Sequence, residues 1–139
     1  MNMKKYSFLL VCLFISFAAM SQKAVISFQE KEHDFGKINE KDGNATYVFQ
    51  FTNKGDGPLV ITNVQASCGC TTPVWTKEPV SPGKNGSITV TYNTAGRPGI
   101  FTKTITVFSN DKQEQVVLII KGEVIPKPVA QVEPVAPKP

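Results

Sequence analysis

The fold class of this chain is decided by residues 45–52, which read ATYVFQFT. Tyr47, Phe49 and Phe51 occupy alternate positions, and threonine, valine and glutamine fill the positions between them. Successive side chains of a β-strand point to opposite faces, so this alternation is typical of a strand with one aromatic face turned toward a core.

Further short runs of β-branched and aromatic residues lie on both sides, separated by glycine, proline, asparagine and aspartate. The other predicted strands are residues 24–29, 34–38, 59–64, 87–93, 100–108 and 114–125. The last contains an uninterrupted apolar run, residues 116–120, which indicates a strand in the centre of its sheet. No helical period lasts longer than two turns. The sequence therefore predicts an all-β sandwich of about seven strands, with a barrel as the alternative.

The first 21 residues have the pattern of a cleavable secretory signal. Two lysines precede an apolar run over residues 6–19, and Ala19 and Ser21 place small residues at the −3 and −1 positions before Gln22. That run is too short to span a hydrocarbon core of roughly 30 Å. We expect cleavage between Ser21 and Gln22, export to the periplasm or the cell surface, and no transmembrane segment in the mature chain.

Removal of the leader also removes Lys4 and Lys5, so the formal net charge falls from +4 by two, to +2. No lysine or arginine cluster remains, which argues against nucleic-acid binding. Residues 22–125 fit one domain of ordinary size. Residues 126–139 hold five of the ten prolines, which predicts a disordered tail, with presentation to a proline-binding partner as the alternative.

Several short motifs of the chain resemble a secreted, Bacteroidetes-type bacterial domain family of unknown function. In order they are HDFG (33–36), FTNKG (51–55), SCGCT (67–71), ITVTY (88–92) and IIKGEV (119–124). The Ser-Cys-Gly-Cys-Thr element is the most specific of them. The resemblance implies export and an Ig-like antiparallel β-sandwich related to the ASH, HYDIN and major sperm protein group. It supplies no activity.

Cys68 and Cys70 are the only cysteines that remain after the leader is removed, and three interpretations of the pair are open. The first is a disulfide, which the oxidising environment of an exported protein favours. On a regular strand the two α-carbons would lie about 7 Å apart, near the upper limit for a disulfide. Gly69 permits a tighter turn. A redox version needs a cation or a helix N-terminus near one thiol, and the adjacent residues supply neither.

The second interpretation is a soft-metal site. Two thiolates on one turn suit Cu(I) or Zn(II), but a closed zinc site has four ligands. The chain's single histidine, His33, would be the third ligand and Asp34 the fourth. This site requires the two stretches to be adjacent in space, and no other cofactor is expected.

The third interpretation is a loop that docks an envelope protein, with the cysteines fixing its shape. Trp75, the only tryptophan, is then either an exposed anchor or a cap on the core. The expected contact residues are Ser67, Gly69, Thr71, Thr72, Pro73 and Trp75.

Catalysis is not expected from this inventory. His33 is the only histidine that could act as the general base of a base–nucleophile pair. The sequence contains neither a Gly-x-Ser-x-Gly elbow nor a phosphate-binding glycine loop. The sequence thus predicts a binding or structural module of the cell envelope, with thiol or metal handling by Cys68 and Cys70 as the alternative function.

Overall fold

A computed structural model of the chain describes residues 21–113 and 115–129. The predicted leader, apart from Ser21, and residues 130–139 of the predicted tail lie outside these ranges. The elements are β1 (Ile26–Phe28), β2 (Glu32–Asn39), a 3₁₀ turn (Glu40–Asp42), β3 (Ala45–Asn53), β4 (Ile61–Ala66), β5 (Thr71–Trp75), β6 (Asn85–Tyr92), β7 (Gly99–Ser109) and β8 (Gln115–Ile125).

The strands form two four-stranded sheets packed face to face. The first, which we call sheet A, has the order β1-β3-β6-β5, and the second, sheet B, has the order β2-β8-β7-β4. The predicted β-sandwich is confirmed, with eight described strands instead of about seven. The additional strand is β5, in a stretch for which the sequence predicts a loop.

One pairing departs from the antiparallel arrangement. The chain leaves sheet A after β1 and enters sheet B as β2, which then runs parallel to β8. The register of this pair shifts between Asp34 and Lys37, where Gly36 adopts a φ of 64°. Such a φ favours glycine, and the extra residue forms a bulge. The alternation of side chains cannot reveal this pairing, because it does not encode the direction of a partner strand.

The core lies between the two inner faces and contains the predicted aromatic face of β3. Phe49 and Phe51 are fully buried there, and Tyr47 is half-buried at the margin. Strand β8 is central in sheet B, as predicted, although Val117 on its outer face is 45% exposed. Burial of large aromatic and aliphatic side chains, each contributing about 2 kcal/mol, drives the two sheets together.

Candidate functional site at the connection between β4 and β5

The cysteine motif forms the crossover from sheet B to sheet A, and hydrogen bonds fix it at both ends. Ser67 N donates to Thr104 O at 2.9 Å, and Thr104 N donates to Ser67 Oγ at 3.2 Å, which ties the start of the crossover to β7. At the other end Asn93 N, just after β6, donates to Cys70 O at 2.8 Å. The crossover is therefore held by both sheets.

Cys68 and Cys70 are joined by a disulfide within this crossover. Their α-carbons lie 5.3 Å apart, inside the range that a disulfide accepts and well below the spacing of a regular strand. Thr71 N donates to Cys68 O at 3.3 Å, which closes the backbone into a turn. The turn, rather than a strand, brings the sulfurs together.

Gly69 does not supply this turn by adopting a left-handed conformation. It is not among the glycines with positive φ, and a Cβ built on it would meet no heavy atom within 4 Å. The turn therefore forms without a left-handed residue at position 69. A glycine here also leaves the surface of the ring open.

We expect Gly69→Ala to change the free energy of unfolding by less than about 0.5 kcal/mol, because the new methyl group enters open space. Urea denaturation of both proteins measures the change, and intact mass checks that the disulfide persists. A loss above about 1.5 kcal/mol would show that the turn depends on glycine after all.

The two sulfurs have unequal exposure but share a polar neighbour. Cys70 is 8% exposed, whereas Cys68 is only half-buried. The hydroxyl oxygen of the buried Thr71 lies 3.8 Å from Cys68 Sγ and 3.7 Å from Cys70 Sγ. Cys70 N also donates to Cys68 Sγ at 3.3 Å. Hydrogen-bond donors thus face both sulfurs.

The structure does not bring His33 to the cysteines. His33 lies on β2, at the opposite edge of sheet B from β4, so three strand spacings of about 4.8 Å separate the two strands. Its ring stacks on Tyr47, with centroids 3.6 Å apart. Asp34, the expected fourth ligand, instead accepts a hydrogen bond from Gly36 N. Across residues 21–113 and 115–129 no group of three or more His, Cys, Asp or Glu side chains could hold a metal ion.

His33 belongs to a cluster of aromatic rings that includes Tyr47, and the hydroxyl group of Tyr47 is hydrogen-bonded to a carboxylate. Tyr47 Oη donates to Glu30 Oε2 at 2.8 Å, and this hydrogen bond raises the pKa of Tyr47 because it favours the protonated phenol. Phe35 meets the His33 ring edge to face at 4.6 Å. The histidine has a packing role here.

Trp75 takes the second of its two predicted roles, since it is half-buried and packs against the core. Its Nε1 is buried and has no hydrogen-bond partner within the described part of the chain. Lys77 Nζ lies 3.0 Å from the ring centroid, over the face of the indole, in a cation–π contact. The side chain caps the sandwich.

Pro73 lies in the middle of β5, at the edge of sheet A. Hydrogen bonds from Asn93 N to Cys70 O and from Thr76 N to Ser87 O bracket the strand. Between these two bonds, residues of β5 alternate between those whose backbone groups bond to β6 and those whose backbone groups face the free edge. Pro73 is one of the residues that face the free edge. The proline therefore costs no ladder hydrogen bond and hinders the addition of another strand to this edge.

The chain matches the model of a family described as "Protein of unknown function (DUF1573)" over residues 26–124. It belongs to this family. No curated protein matches the chain. Within the part of this DUF1573 protein that the structure describes, no helix is long and apolar enough to cross a membrane.

Among solved structures, the DUF1573 protein is similar to a protein of unknown function from Porphyromonas gingivalis W83. The TM-score is 0.66 at 18% identity, and the match covers 78% of this chain and 50% of the other. This chain thus spans about half the length of that protein. At this level of identity the likeness shows the fold alone.

The DUF1573 protein also resembles parts of two larger bacterial hydrolases. The VesB protease of Vibrio cholerae matches with a TM-score of 0.56 at 14% identity, over 71% of this chain and 31% of the protease. A family 123 glycoside hydrolase from Clostridium perfringens matches with a TM-score of 0.57 at 10% identity, over 76% of this chain and 27% of the enzyme. The shared feature is again the fold.

A surface that sequence reasoning missed adjoins the cysteine crossover. We call it the threonine face: the outward side chains of three neighbouring strands of sheet A, which are uncharged throughout. Its members are Thr46, Val48, Gln50 and Thr52 of β3, Asn85, Ser87, Thr89 and Thr91 of β6, and Thr72 and Val74 of β5. The alternation in the sequence predicts which side chains of each strand point outward. It does not predict which strands lie side by side, and the face exists only because these three strands pair in this order.

The outer face of sheet B differs in chemistry. Glu32 and Lys121 form an ion pair on it, and the hydrogen bond to Glu32 raises the pKa of Lys121. Lys37 and Glu123 stand opposite each other in register. Charge is therefore distributed unevenly between the two faces of the sandwich.

Proposed function

We propose that this protein is an exported, non-catalytic binding module of the cell envelope, in the periplasm or at the cell surface. It presents the threonine face and the adjoining Cys-Gly-Cys crossover to an envelope protein. The leader-like residues 1–21 support export, and the family membership is compatible with any binding role.

The observation that carries the proposal is the absence of charge from the threonine face. Soluble proteins usually have about 25–35% charged residues on their surfaces. All ten positions of this face are uncharged, although 19% of the whole chain is charged. Depletion of charged side chains distinguishes the centre of a protein–protein interface from ordinary surface.

The face also has an apolar centre. In register, Val48 and Val74 flank Thr89, and the two valines are 40% and 62% exposed. Next to these residues, a hydrogen bond of 3.1 Å joins the hydroxyl groups of Thr46 and Thr91 and fixes the orientation of both side chains. A surface whose side chains are already ordered loses little side-chain entropy when a partner covers it.

The proposal assigns no reaction to this surface. Its hydroxyl, amide and methyl groups include no general base, and Pro73 hinders strand addition at the adjacent edge. We therefore expect a partner that packs on the face through side chains rather than one that extends sheet A.

Site-specific photo-crosslinking in intact cells tests the proposal. With a benzoylphenylalanine at position 74 we expect a discrete adduct with an envelope protein, and Val48→Lys should abolish it because a charge at the centre must be desolvated. Ile100, 86% exposed on sheet B, is the matched control position and should give no such adduct.

Equal crosslinking from positions 74 and 100, or an adduct that survives Val48→Lys, would overturn the proposed contact surface. Export is checked separately. The envelope fraction should contain the chain with Gln22 as its first residue, and a chain found in the cytoplasm with Met1 to Ser21 intact would contradict the proposed location.

A further inference from the structure

We propose that Cys68 and Cys70 form a reversible thiol–disulfide couple that exchanges with an external monothiol, with Cys68 as the sulfur that is attacked. This goes beyond the binding role, in which the cysteines only fix the shape of the crossover. The binding role is tested at the threonine face and the exchange at the cysteines themselves, so either can fail without the other.

Unequal exposure selects the reacting sulfur. Cys68 is half-buried, whereas Cys70 is 8% exposed and forms part of the core cluster. Gly69 between them has open space where a side chain would stand, with no heavy atom within 4 Å of its Cβ position. An incoming thiolate can therefore reach Cys68 without displacing residue 69.

Hydrogen-bond donors are placed to stabilise the thiolate that leaves. The Thr71 hydroxyl lies 3.7 Å from Cys70 Sγ and 3.8 Å from Cys68 Sγ, so it can turn to whichever sulfur carries the charge. Cys70 N lies 3.3 Å from Cys68 Sγ and donates to the sulfur that is released as a thiolate in the second step of the exchange. Hydrogen bonds to the charged form of a group favour that form.

A lysine far from the cysteines in sequence adjoins the residue of β7 that anchors the start of the crossover. Ser67, the residue before Cys68, hydrogen-bonds to Thr104, and Lys103 is the residue before Thr104 on β7. Lys103 is half-buried and alternates with Phe101 and Ile105 on the inner face of β7. A nearby lysine favours a thiolate over a thiol.

The exchange proceeds in two balanced steps. A thiolate RS⁻ attacks Cys68 Sγ, an S–S bond to Cys68 forms, the Cys68–Cys70 bond breaks, and its electron pair leaves on Cys70 Sγ, which takes a proton from water. A second RS⁻ attacks the R sulfur of the mixed disulfide and releases RSSR, and the Cys68 thiolate is protonated. Two thiols are thus oxidised as the protein disulfide is reduced, and RSSR drives the reverse reaction.

Reduction should leave the sandwich folded. The disulfide closes a ring between residues only two positions apart, so it restricts the unfolded chain very little. The bonds of Ser67 to β7 and of Cys70 O to Asn93 N hold the crossover without it. The couple can therefore cycle within a stable scaffold.

The test uses the purified protein and glutathione. After equilibration in buffers of increasing reduced-to-oxidised ratio and acid quenching, intact mass should show a reversible gain of two hydrogens, with an unchanged far-ultraviolet circular dichroism spectrum. In Cys70→Ser, the remaining Cys68 should form a mixed disulfide with oxidised glutathione. In Cys68→Ser, the buried Cys70 should react about ten-fold more slowly.

Two further variants separate this role from a purely structural one. Thr71→Val keeps the shape but removes the hydroxyl, and should slow glutathionylation of Cys68 in the Cys70→Ser background about five-fold. Lys103→Met should also slow it, whereas Lys84→Met, on the exposed turn before β6, should not. Equal reactivity of the two cysteines, or a disulfide that resists every glutathione ratio until the protein unfolds, would overturn the proposal.

Discussion

Asn53→Leu is expected to lower the free energy of unfolding by about 4 kcal/mol, because it removes a buried side-chain amide that makes four hydrogen bonds to the backbone. Asn53, the last residue of β3, is fully buried. Its Nδ2 donates to Gly57 O at 2.7 Å and to Val80 O at 2.8 Å. Its Oδ1 accepts from Gly55 N at 2.9 Å and from Val25 N at 3.3 Å. One side chain thus joins three separate segments.

Urea denaturation followed by tryptophan fluorescence measures this loss. Asn85→Leu is the matched control, since Asn85 is exposed and its side chain bonds only to Thr52 Oγ1 among the hydrogen bonds of the described residues. We expect the control to lose less than about 1 kcal/mol. If both variants lost the same amount, the buried amide would have no special role in joining the segments.

The strands that sequence predicted best are those with a complete alternation. Residues 45–52 alternate an aromatic face with a polar one, and the observed strand Ala45–Asn53 buries that face. Strand β5 was missed because Pro73 and the neighbouring cysteine turn suggest a loop, and only the pairing with β6 shows that proline is tolerated there. Local pattern predicts a strand, but its place in a sheet depends on distant partners.

The same limit applies to the candidate site. The spacing of Cys68 and Cys70 allows a disulfide only where the chain turns, and the turn itself is visible only in the structure, where Thr71 N donates to Cys68 O. The separation of His33 from the cysteines could not be anticipated, because it depends on the order of strands in sheet B. Lys103 was missed for the same reason, since only the pairing of β4 with β7 brings its neighbour Thr104 into hydrogen-bond contact with Ser67.

Gly86→Ala is expected to destabilise the protein by about 3 kcal/mol, because the added methyl group would occupy the space of a buried ring. Gly86 stands opposite Phe51 in the β3–β6 register. A Cβ on Gly86 would lie 2.8 Å from Phe51 Cε2, 3.0 Å from Cε1 and closer still to Cζ. Phe51 is fully buried and contacts the ring of Phe28 at 5.5 Å, so it has no free space to move into.

A double-mutant cycle distinguishes this clash from a general intolerance of alanine on β6. Phe51→Leu shortens the side chain that the new methyl group meets, so Gly86→Ala should cost less than about 1 kcal/mol in that background, a coupling of about 2 kcal/mol. Gly69→Ala, where the methyl group meets nothing, provides the comparison for alanine without a clash. Additive losses in the cycle would mean that the glycine is required by the backbone of β6 and not by the ring of Phe51.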